Sequence, residues 1–328
     1  MHRRRFLQSV PWMAAGWAAD TAAAHPAFDG MAQEIEAAYA DVESVVVVRD
    51  DRLLFEYYKA GGDADTLRDV QSVTKSVLSM AVGATLGQGA LQSLDQPLSG
   101  LPPGAEPPAG DTAALTIRHL LTMTAGFAPV PRFVSVTADD PAVLLQRERI
   151  AAPGTRFAYD NLSANLLSVA LQAAVGRSSA AFARQQLFEP LEIRDFDWKA
   201  GAGGHSLGFS GLKLRSRDMA QLGRLMLRQG QWEGKPLLPQ AYARASVTMQ
   251  NAGGPPVNLP YGYLWWLVPS DGDTRTFFAS GYGGQLIWVH VPLNLVIATT
   301  SEVSAGSQAR GQALALLRTR LFRAAASV

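Results

Sequence analysis

Patterns typical of β-strands lie near both ends of this 328-residue chain, and patterns typical of helices fill most of the interval between them. The strand patterns fall in residues 44–59 and again in residues 261–300, whereas residues 85–255 are mainly helical in pattern. A last helical pattern covers residues 308–324. The sequence therefore predicts an α/β (α+β) fold in which both ends of the chain build one antiparallel sheet, flanked by terminal helices, with a mostly helical inserted region.

The strand assignment depends on β-branched and aromatic runs separated by turn residues. Residues 44–59 hold two such runs around the charged turn at residues 50–52, which predicts a hairpin. Four later runs are separated by Gly, Pro or Asn turns and cover residues 261–268, 276–279, 285–291 and 295–300.

Among the helical patterns, residues 72–86 stand out because small and apolar side chains occupy nearly every face. Such a helix is expected to be buried all round. The other helical patterns cover residues 116–123, 161–175, 179–188 and 216–229, and we expect Ser216 to be the N-cap of the last of these.

The first 24 residues have the three parts of a secretory signal peptide: a basic start, an apolar stretch over residues 10–19 and small residues before a cleavage site after Ala24. Residues 3–7 also resemble the twin-arginine export signal. The apolar stretch is shorter than the roughly 20 residues that span a bilayer. We therefore expect a periplasmic or secreted protein whose residues 25–328 form a single domain with no stable membrane insertion.

Composition excludes several classes of function. The chain has no cysteine, which excludes disulfides, thiolate catalysis and cysteine-ligated metals. Its five histidines form no metal-ligand pair of the H-E-x-x-H kind, so we expect no metal or other cofactor. The 29 basic and 28 acidic residues nearly cancel, and no basic excess favours a nucleic-acid partner. Charge balance leaves the oligomeric state open.

A serine and a lysine begin the apolar helix of residues 72–86. In the S-x-x-K sequence, Ser72 and Lys75 are three residues apart and share one helix face. Serine is a weak nucleophile at neutral pH and needs a nearby base, which a lysine can provide when burial disfavours its charged form. The alternative is an ordinary N-cap serine followed by an exposed lysine, but such a lysine fits poorly in so apolar a helix.

Two other serines compete for the role of nucleophile. A second S-x-x-K joins Ser210 to Lys213, but its Gly-rich surroundings begin no buried helix. Ser206 lies in a G-x-S-x-G sequence, which in an α/β-hydrolase forms the nucleophile elbow between a strand and a helix. Neither flank of Ser206 has the required pattern, so Ser72 is the favoured nucleophile.

Further motifs follow in the order typical of one superfamily. Residues 116–127 read T-I-R-H-L-L-T-M-T-A-G-F, and Tyr159 and Asn161 form a Y-x-N. With the S-x-x-K helix, these motifs closely resemble the serine β-lactamase-related superfamily, in the branch of class C β-lactamases, D-alanyl-D-alanine peptidases and their esterase relatives. The resemblance extends over about residues 44–300 and implies a β-lactamase/transpeptidase-like fold.

The resemblance also implies roles for these residues. Ser72 corresponds to the acylated nucleophile, and Lys75 to the group that takes its proton. Tyr159 corresponds to the phenol that passes a proton to the leaving group, and Asn161 to an amide that orients the substrate and the lysine. From the residues alone, Tyr159 and Asn161 fit equally well in a turn before the next helix, with Asn161 as its cap.

The third motif of the superfamily normally reads K-T-G or H-x-G, and Ala279-Ser280-Gly281 stands in its place. The cationic side chain is missing at Ala279, Ser280 still offers a hydroxyl, and Gly281 permits a close approach to the backbone. The resemblance implies an oxyanion hole from the backbone N–H groups of Ser72 and Tyr282. Because the missing cation helps hold a substrate carboxylate in β-lactamases, strong β-lactam hydrolysis is not expected.

The aromatic residues near this motif resemble the branch that contains 6-aminohexanoate oligomer hydrolases and carboxylesterases. Trp265 and Trp266 are predicted to contact the substrate in an aromatic cleft that also includes Tyr263 and Tyr282. The alternative for all four is packing in the core of the sheet.

Together these features predict an exported serine hydrolase that cleaves an ester or amide bond of a small molecule through an acyl-enzyme on Ser72. Three alternatives remain. The first is a class C-type β-lactamase or a D-alanyl-D-alanine peptidase. The second is a catalytically silent relative that binds penicillin or peptide, and the third is an α/β-hydrolase-type esterase that uses Ser206.

Overall fold

The computed structural model of the chain describes residues 24–98, 115–130, 139–269, 275–303 and 311–328. These residues form a mixed α/β structure around one large antiparallel sheet. The predicted signal peptide lies outside the described residues, apart from Ala24.

Thirteen strands and ten α-helices lie within the described residues. The strands are β1 (Val42–Arg49), β2 (Arg52–Tyr58), β3 (Arg68–Asp69), β4 (Asp197–Trp198), β5 (Leu212–Leu214), β6 (Gln231–Trp232), β7 (Lys235–Pro236), β8 (Asn251–Gly254), β9 (Leu259–Tyr261), β10 (Trp266–Val268), β11 (Thr276–Gly281), β12 (Gln285–His290) and β13 (Leu295–Ser301). The helices are α1 (Met31–Ala38), α2 (Val73–Gly87), α3 (Ile117–Leu121), α4 (Pro141–Leu145), α5 (Asn161–Val175), α6 (Ser179–Ala183), α7 (Ser216–Leu227), α8 (Gln240–Ser246), α9 (Gln312–Leu316) and α10 (Phe322–Ala326).

The large sheet has eight strands in the order β2-β1-β13-β12-β11-β10-β9-β8. Strand β1 pairs with β2 on one side and with β13 on the other, so that Val47 lies opposite both Phe55 and Ile297. The N-terminal and C-terminal strands are therefore neighbours inside one sheet. The predicted architecture, an antiparallel sheet built from both ends of the chain with helices between them, is confirmed.

The hairpin between β1 and β2 turns at two aspartates with left-handed backbone. Asp50 has φ 47° and Asp51 has φ 63°, which matches the twist of the flanking strands. Aspartate tolerates this conformation because its short polar side chain bonds locally. The Asn294 side chain donates to Asp50 at 2.9 Å, which ties the hairpin turn to the residue before β13.

Helices cover both faces of the sheet. On one face α7 packs very closely on the sheet. A Cβ on Gly223 would lie only 2.6 Å from Val296 Cγ1, so a larger residue at this position would clash. On the other face the edge of His290 meets the Phe322 ring of α10, with centroids 5.0 Å apart. Because successive strand residues face opposite sides, the buried core lies along the sheet between these two helical layers.

A small three-stranded sheet, in the order β3-β5-β4, connects the sheet to the helical region. Arg68 pairs with Leu214, and the Val70 N–H donates to Leu212 O at 2.9 Å. This pairing brings the segment before α2 beside residues 209–211, which lie about 140 positions further along the chain.

Two local predictions are wrong. The single strand predicted at residues 261–268 is two strands, β9 and β10, because Leu264 adopts a left-handed backbone (φ 61°) that breaks the ladder. Ser216 is not the N-cap of α7 but its first residue. Arg215 is the cap, and its backbone N–H donates to Asp218 at 3.2 Å. Residues 308–310 of the last helical pattern lie outside the described residues, and the described part is helical from Gln312 to Ala326.

Within the described ranges, no single helix combines the length and apolarity needed to cross a bilayer. Helix α5 and the helical stretch Ser179–Phe188 pass that test only when taken together, and they meet at a bend of 66°.

Candidate active site

Ser72 lies at the N-terminus of the buried helix α2, after a tight turn. Gln71 before it has a left-handed backbone (φ 51°), and the Gln71 N–H donates to Asp69 Oδ1 at 2.8 Å. The N–H groups of Val73 and Thr74 close the turn by donating to Val70 O and Gln71 O. A non-glycine residue keeps this conformation only where the surrounding structure holds the backbone in place. Such backbone strain is common where a functional side chain must be held in one orientation.

Lys75 is the most unusual residue of α2 because its side chain is only 1% exposed. Its Nζ lies 2.9 Å from Ser72 Oγ, 2.9 Å from Asn161 Oδ1 and 3.2 Å from Phe209 O. Three oxygens around one nitrogen satisfy all three N–H donors of an ammonium group. The alternative of an exposed lysine behind a capping serine is therefore wrong, and Ser72 makes no side-chain cap bond.

Tyr159 and Asn161 enter the site from the start of α5. Asn161 is the first residue of the helix and its amide oxygen accepts from Lys75. The capping role lies elsewhere, since Asp160 accepts from the Leu162 and Ser163 N–H groups. The expectation of an Asn161 cap is therefore wrong.

The Tyr159 ring is held between a cation and an indole. Lys75 Nζ lies 4.7 Å from the centroid of the phenol ring, and the Trp266 ring stacks on it at 5.9 Å with an interplanar angle of 21°. Tyr261 approaches with its edge at 6.5 Å. Aromatic and cation–π contacts of these kinds hold the ring in place without using its hydroxyl.

The end of β11 forms the opposite wall of the site. Strand β10 pairs with β11 only as far as Phe278, so the last residues of β11 extend beyond that partner. A Cβ on Gly281 would lie 2.4 Å from Val70 O and 3.0 Å from Gln71 Cβ, so only glycine permits this approach to the turn before Ser72. Ala279 is fully buried and paired with Ile287, which places it in the core of the sheet.

A cleft of about 330 Å³ joins these elements. Seven residues predicted for the site or cleft line it, namely Ser72, Tyr159, Asn161, Trp266, Ser280, Gly281 and Tyr282. Six further lining residues were missed, namely Gln71, Phe209, Ser210, Pro256, Val257 and Val303. Only Ser210 carried a signal, as the start of the second S-x-x-K. In the part of the chain that the structure describes, no group of three His, Asp or Glu residues is placed to hold a metal ion.

Trp265 does not line the cleft, so the prediction that it contacts substrate is wrong. Its side chain is fully buried and meets Phe277 edge-on at 5.5 Å. Tyr263 also lies in the core and accepts a hydrogen bond from Arg118. For these two aromatic residues, the alternative of core packing is the correct one.

Ser206 is buried, and its hydroxyl is hydrogen-bonded to the backbone. It is 3% exposed, and its Oγ accepts a hydrogen bond from the Ala180 N–H at 3.1 Å in the first turn of α6. The sheet is antiparallel, and the strand–elbow–helix arrangement of an α/β-hydrolase does not occur around this serine. The motif at Ser206 is therefore not a nucleophile elbow.

A helix that carries serine and buried lysine, set against a large antiparallel sheet and a helical region, is the arrangement of β-lactamase-fold serine hydrolases. Residues 20–319 match the Beta-lactamase family, and the chain belongs to this family.

Three similar proteins are consistent with that membership. The D-alanyl-D-alanine-carboxypeptidase/endopeptidase AmpH of Escherichia coli is 30% identical over 169 residues, which cover 46% of this chain but only 44% of AmpH. The structure of a Bacteroides dorei protein assigned as a β-lactamase has a TM-score of 0.76 at 19% identity, covering 92% of this chain and 98% of that one. A Bacillus anthracis protein assigned as a 6-aminohexanoate-dimer hydrolase gives 0.73 at 18% identity, covering 89% and 81%.

Proposed function

We propose that this protein hydrolyses ester or amide bonds of small molecules through an acyl-enzyme on Ser72. The observation that carries the proposal is the position of Lys75 Nζ, which is buried and lies 2.9 Å from both Ser72 Oγ and Asn161 Oδ1, two residues that line the cleft. A nucleophile and a base within hydrogen-bond reach, with a third group orienting the base, are the parts needed for nucleophilic catalysis.

The contacts of Lys75 suit both protonation states that the first step requires. As a neutral amine, Lys75 accepts the Ser72 proton and donates its two N–H groups to Asn161 Oδ1 and Phe209 O. When Ser72 Oγ attacks the carbonyl carbon, its proton moves to the lysine nitrogen. The resulting ammonium then keeps three oxygen neighbours, so no contact has to be rebuilt as the charge appears.

Collapse of the tetrahedral intermediate breaks the bond to the leaving group, which takes a proton through Tyr159. Water then attacks the acyl carbon and gives up a proton, and Ser72 Oγ takes up that proton as its bond to the acyl carbon breaks. By resemblance to the family, the backbone N–H groups of Ser72 and Tyr282 stabilise the oxyanion in both steps. Both residues border the cleft, which supports that assignment.

The lining of the cleft supports a small substrate with an apolar acyl group. Phe209, Pro256, Val257 and Trp266 contribute apolar or aromatic surface, and Ser280 contributes a hydroxyl. A volume of about 330 Å³ is at the lower end of the range of about 300–1,000 Å³ for ligand pockets. Ala279 offers no cation for a substrate carboxylate, so β-lactam hydrolysis is expected to be weak.

Peptide hydrolysis is the second candidate, and the similarity to AmpH favours it. A D-alanyl-D-alanine peptide presents an amide to the same nucleophile. Because the match covers less than half of AmpH, its carboxypeptidase and endopeptidase activities are possibilities for this chain to be tested directly.

One panel of substrates separates these candidates: p-nitrophenyl esters, nitrocefin, a 6-aminohexanoate dimer and a D-alanyl-D-alanine peptide. We expect turnover of the esters, little or none of nitrocefin, and complete loss of turnover in Ser72→Ala. Ser206→Ala is the control for a buried serine and Ser210→Ala for a serine in the cleft. Loss of turnover in Ser206→Ala with full activity in Ser72→Ala would overturn the assignment.

A fluorophosphonate probe distinguishes the enzyme from a silent binding relative. Intact mass should show one adduct on the wild-type protein and none on Ser72→Ala. Absence of an adduct with both this probe and a penicillin would support the silent relative.

We also propose that the chain is exported to the periplasm or the medium, because residues 1–24 have the sequence pattern of a signal peptide. Expression with Lys in place of both Arg3 and Arg4 should leave an uncleaved precursor in the cytoplasm if the twin-arginine route is used.

A further inference from the structure

A buried ion pair lies directly behind the cleft. Arg147 donates to both carboxylate oxygens of Asp160, at 2.7 Å and 3.0 Å, and the two side chains are 12% and 2% exposed. The same guanidinium donates to Ala128 O at 2.6 Å and lies over the Phe127 ring, 4.9 Å from its centroid. A two-pronged contact of this kind fixes direction as well as distance.

The carboxylate of Asp160 has a second set of partners in the first turn of α5. One of its oxygens accepts from the Ser163 N–H at 2.8 Å and from Ser163 Oγ at 2.5 Å, and the other accepts from the Leu162 N–H at 3.4 Å. The carboxylate therefore joins the first turn of α5 to the loop that carries Arg147. Each of its two oxygens accepts hydrogen bonds both from Arg147 and from the start of α5.

The chain neighbours of Asp160 are the two cleft residues Tyr159 and Asn161. Asn161 contacts Lys75, and Tyr159 lies against both Lys75 and Trp266. The backbone is fixed again one residue earlier, where the Ala158 N–H donates to Met123 O at 2.8 Å. Any rotation of the backbone at Asp160 changes the direction in which Tyr159 and Asn161 enter the cleft.

We propose that Arg147 and Asp160 are positioning residues that set the placement of Tyr159 and Asn161 relative to Ser72 and Lys75. The proposal rests on the proposed function, since it assigns the pair a part in turnover and not in folding alone. Small errors of placement have large kinetic effects, and a displacement of about 1 Å can lower a rate about 100-fold.

The substitution Asp160→Asn separates positioning from helix capping. Asparagine caps a helix about as well as aspartate, so α5 keeps its N-cap, whereas the pair with Arg147 loses its charge. We expect kcat for a p-nitrophenyl ester to fall about 10- to 100-fold while KM changes less than threefold. A purely structural role predicts a lower melting temperature with kcat unchanged in the fraction that is folded.

Asp218→Asn is a matched control. Asp218 is also a buried aspartate in the first turn of a helix and pairs with an arginine, Arg215, at 2.9 Å, but neither residue borders the active-site cleft. We expect kcat of this variant to stay within twofold of wild type. An equal loss of kcat in both variants, or no loss in Asp160→Asn, overturns the proposal.

Arg147→Lys keeps the inference testable if Asp160→Asn fails to fold. The lysine retains the charge but loses the two-pronged contact, and we expect kcat to fall about fivefold or more with Asp160 still capping α5. Activity within twofold of wild type overturns the proposal. If the wild-type protein itself shows no turnover that depends on Ser72, the proposed function fails instead.

Discussion

Lys75 Nζ lies over the face of the Tyr159 ring, 4.7 Å from its centroid, while it stays within 2.9 Å of Ser72 Oγ. The ring contact depends on the aromatic face and the proposed proton transfer depends on the phenol oxygen. Substitution can therefore separate the two roles of this tyrosine.

Tyr159→Phe retains the ring contacts with Lys75 and Trp266 and removes only the hydroxyl. We expect kcat/KM to fall about 100- to 10,000-fold, as for the loss of a general acid–base group. The loss should be larger for an alkyl ester than for a p-nitrophenyl ester, because the alkoxide needs a proton more than the nitrophenolate does. Equal losses for the two esters would count against proton transfer by Tyr159. Tyr39→Phe, which alters a half-buried tyrosine whose hydroxyl contacts Thr319 outside the cleft, is the control.

Gly281→Ala tests the close contact between β11 and the turn before Ser72. The new methyl group would lie 2.4 Å from Val70 O, so the strand or the turn must move. We expect a loss of about 1–3 kcal/mol in the free energy of unfolding and a fall of at least about tenfold in kcat. Urea unfolding and initial rates measure the two effects. Gly311→Ala is the control, because no atom of the described residues lies within 4 Å of its Cβ position, and it should change neither.

Trp265 and Trp266 are adjacent in the chain, and substituting each in turn tests which of the two contacts substrate. Trp266→Phe should raise KM for aromatic esters about three- to tenfold, because its ring borders the cleft. Trp265→Phe should leave KM within twofold and lower the free energy of unfolding by about 1–3 kcal/mol as core volume is lost. No hydrogen bond is lost with it, since within the described residues Trp265 Nε1 has no partner. The reverse pattern would place Trp265 at the substrate.

Asp51 predicts a pH dependence of stability. Burial raises the pKa of this carboxyl, but hydrogen bonds from Arg228 and Arg224 outweigh burial and hold the pKa below its ordinary value. The contacts of Asp51 with the two arginines therefore stabilise the fold above about pH 4, where Asp51 is ionised in the unfolded chain as well. This contribution disappears as the pH falls through the lower pKa that Asp51 has in the folded protein. Because the Asp51 side chain is half exposed, the contribution is below about 1 kcal/mol.

Asp51→Asn measures that contribution, since asparagine also tolerates the left-handed backbone of this turn. Urea unfolding should show the variant to be less stable than wild type at pH 7, and this deficit should shrink as the pH falls from about 4 towards about 2.5. Asp50→Asn, in the same turn but bonded to Asn294, is the control. A deficit for Asp51→Asn that is the same at both pH values would contradict the pKa argument.

Elements with strong local signals could be predicted from the sequence. The bounds of α5 are the predicted ones because an apolar run of good helix formers begins after Asp160 and ends at Gly176. Tyr159 and Asn161 could be assigned to the site as well, because their Y-x-N motif resembles that of the superfamily, and both contact Lys75.

Other parts of the site depend on contacts that leave no local signal. Phe209 and Ser210 reach the cleft because β3 pairs with β5, and strands of two and three residues are too short to be seen in a sequence pattern. The left-handed backbone at Leu264 divides residues 261–268 into β9 and β10, and nothing in leucine favours that conformation. The ion pair between Asp160 and Arg147 leaves no local signal either, because the two residues are 13 positions apart in the chain.

The pairing of β1 with β13 has a consequence for how the protein folds. Ser44 lies opposite Thr300, and their hydroxyls are bonded across a separation of 256 residues. The ladder at the centre of the sheet cannot close until almost the entire chain has been synthesised. Contacts between such distant residues are slow to form, so hydrophobic strands such as β1 must stay unpaired while the helical region is still being made. We therefore expect slow refolding from urea, and a dependence on chaperones for as long as the ribosome holds the C-terminal strands.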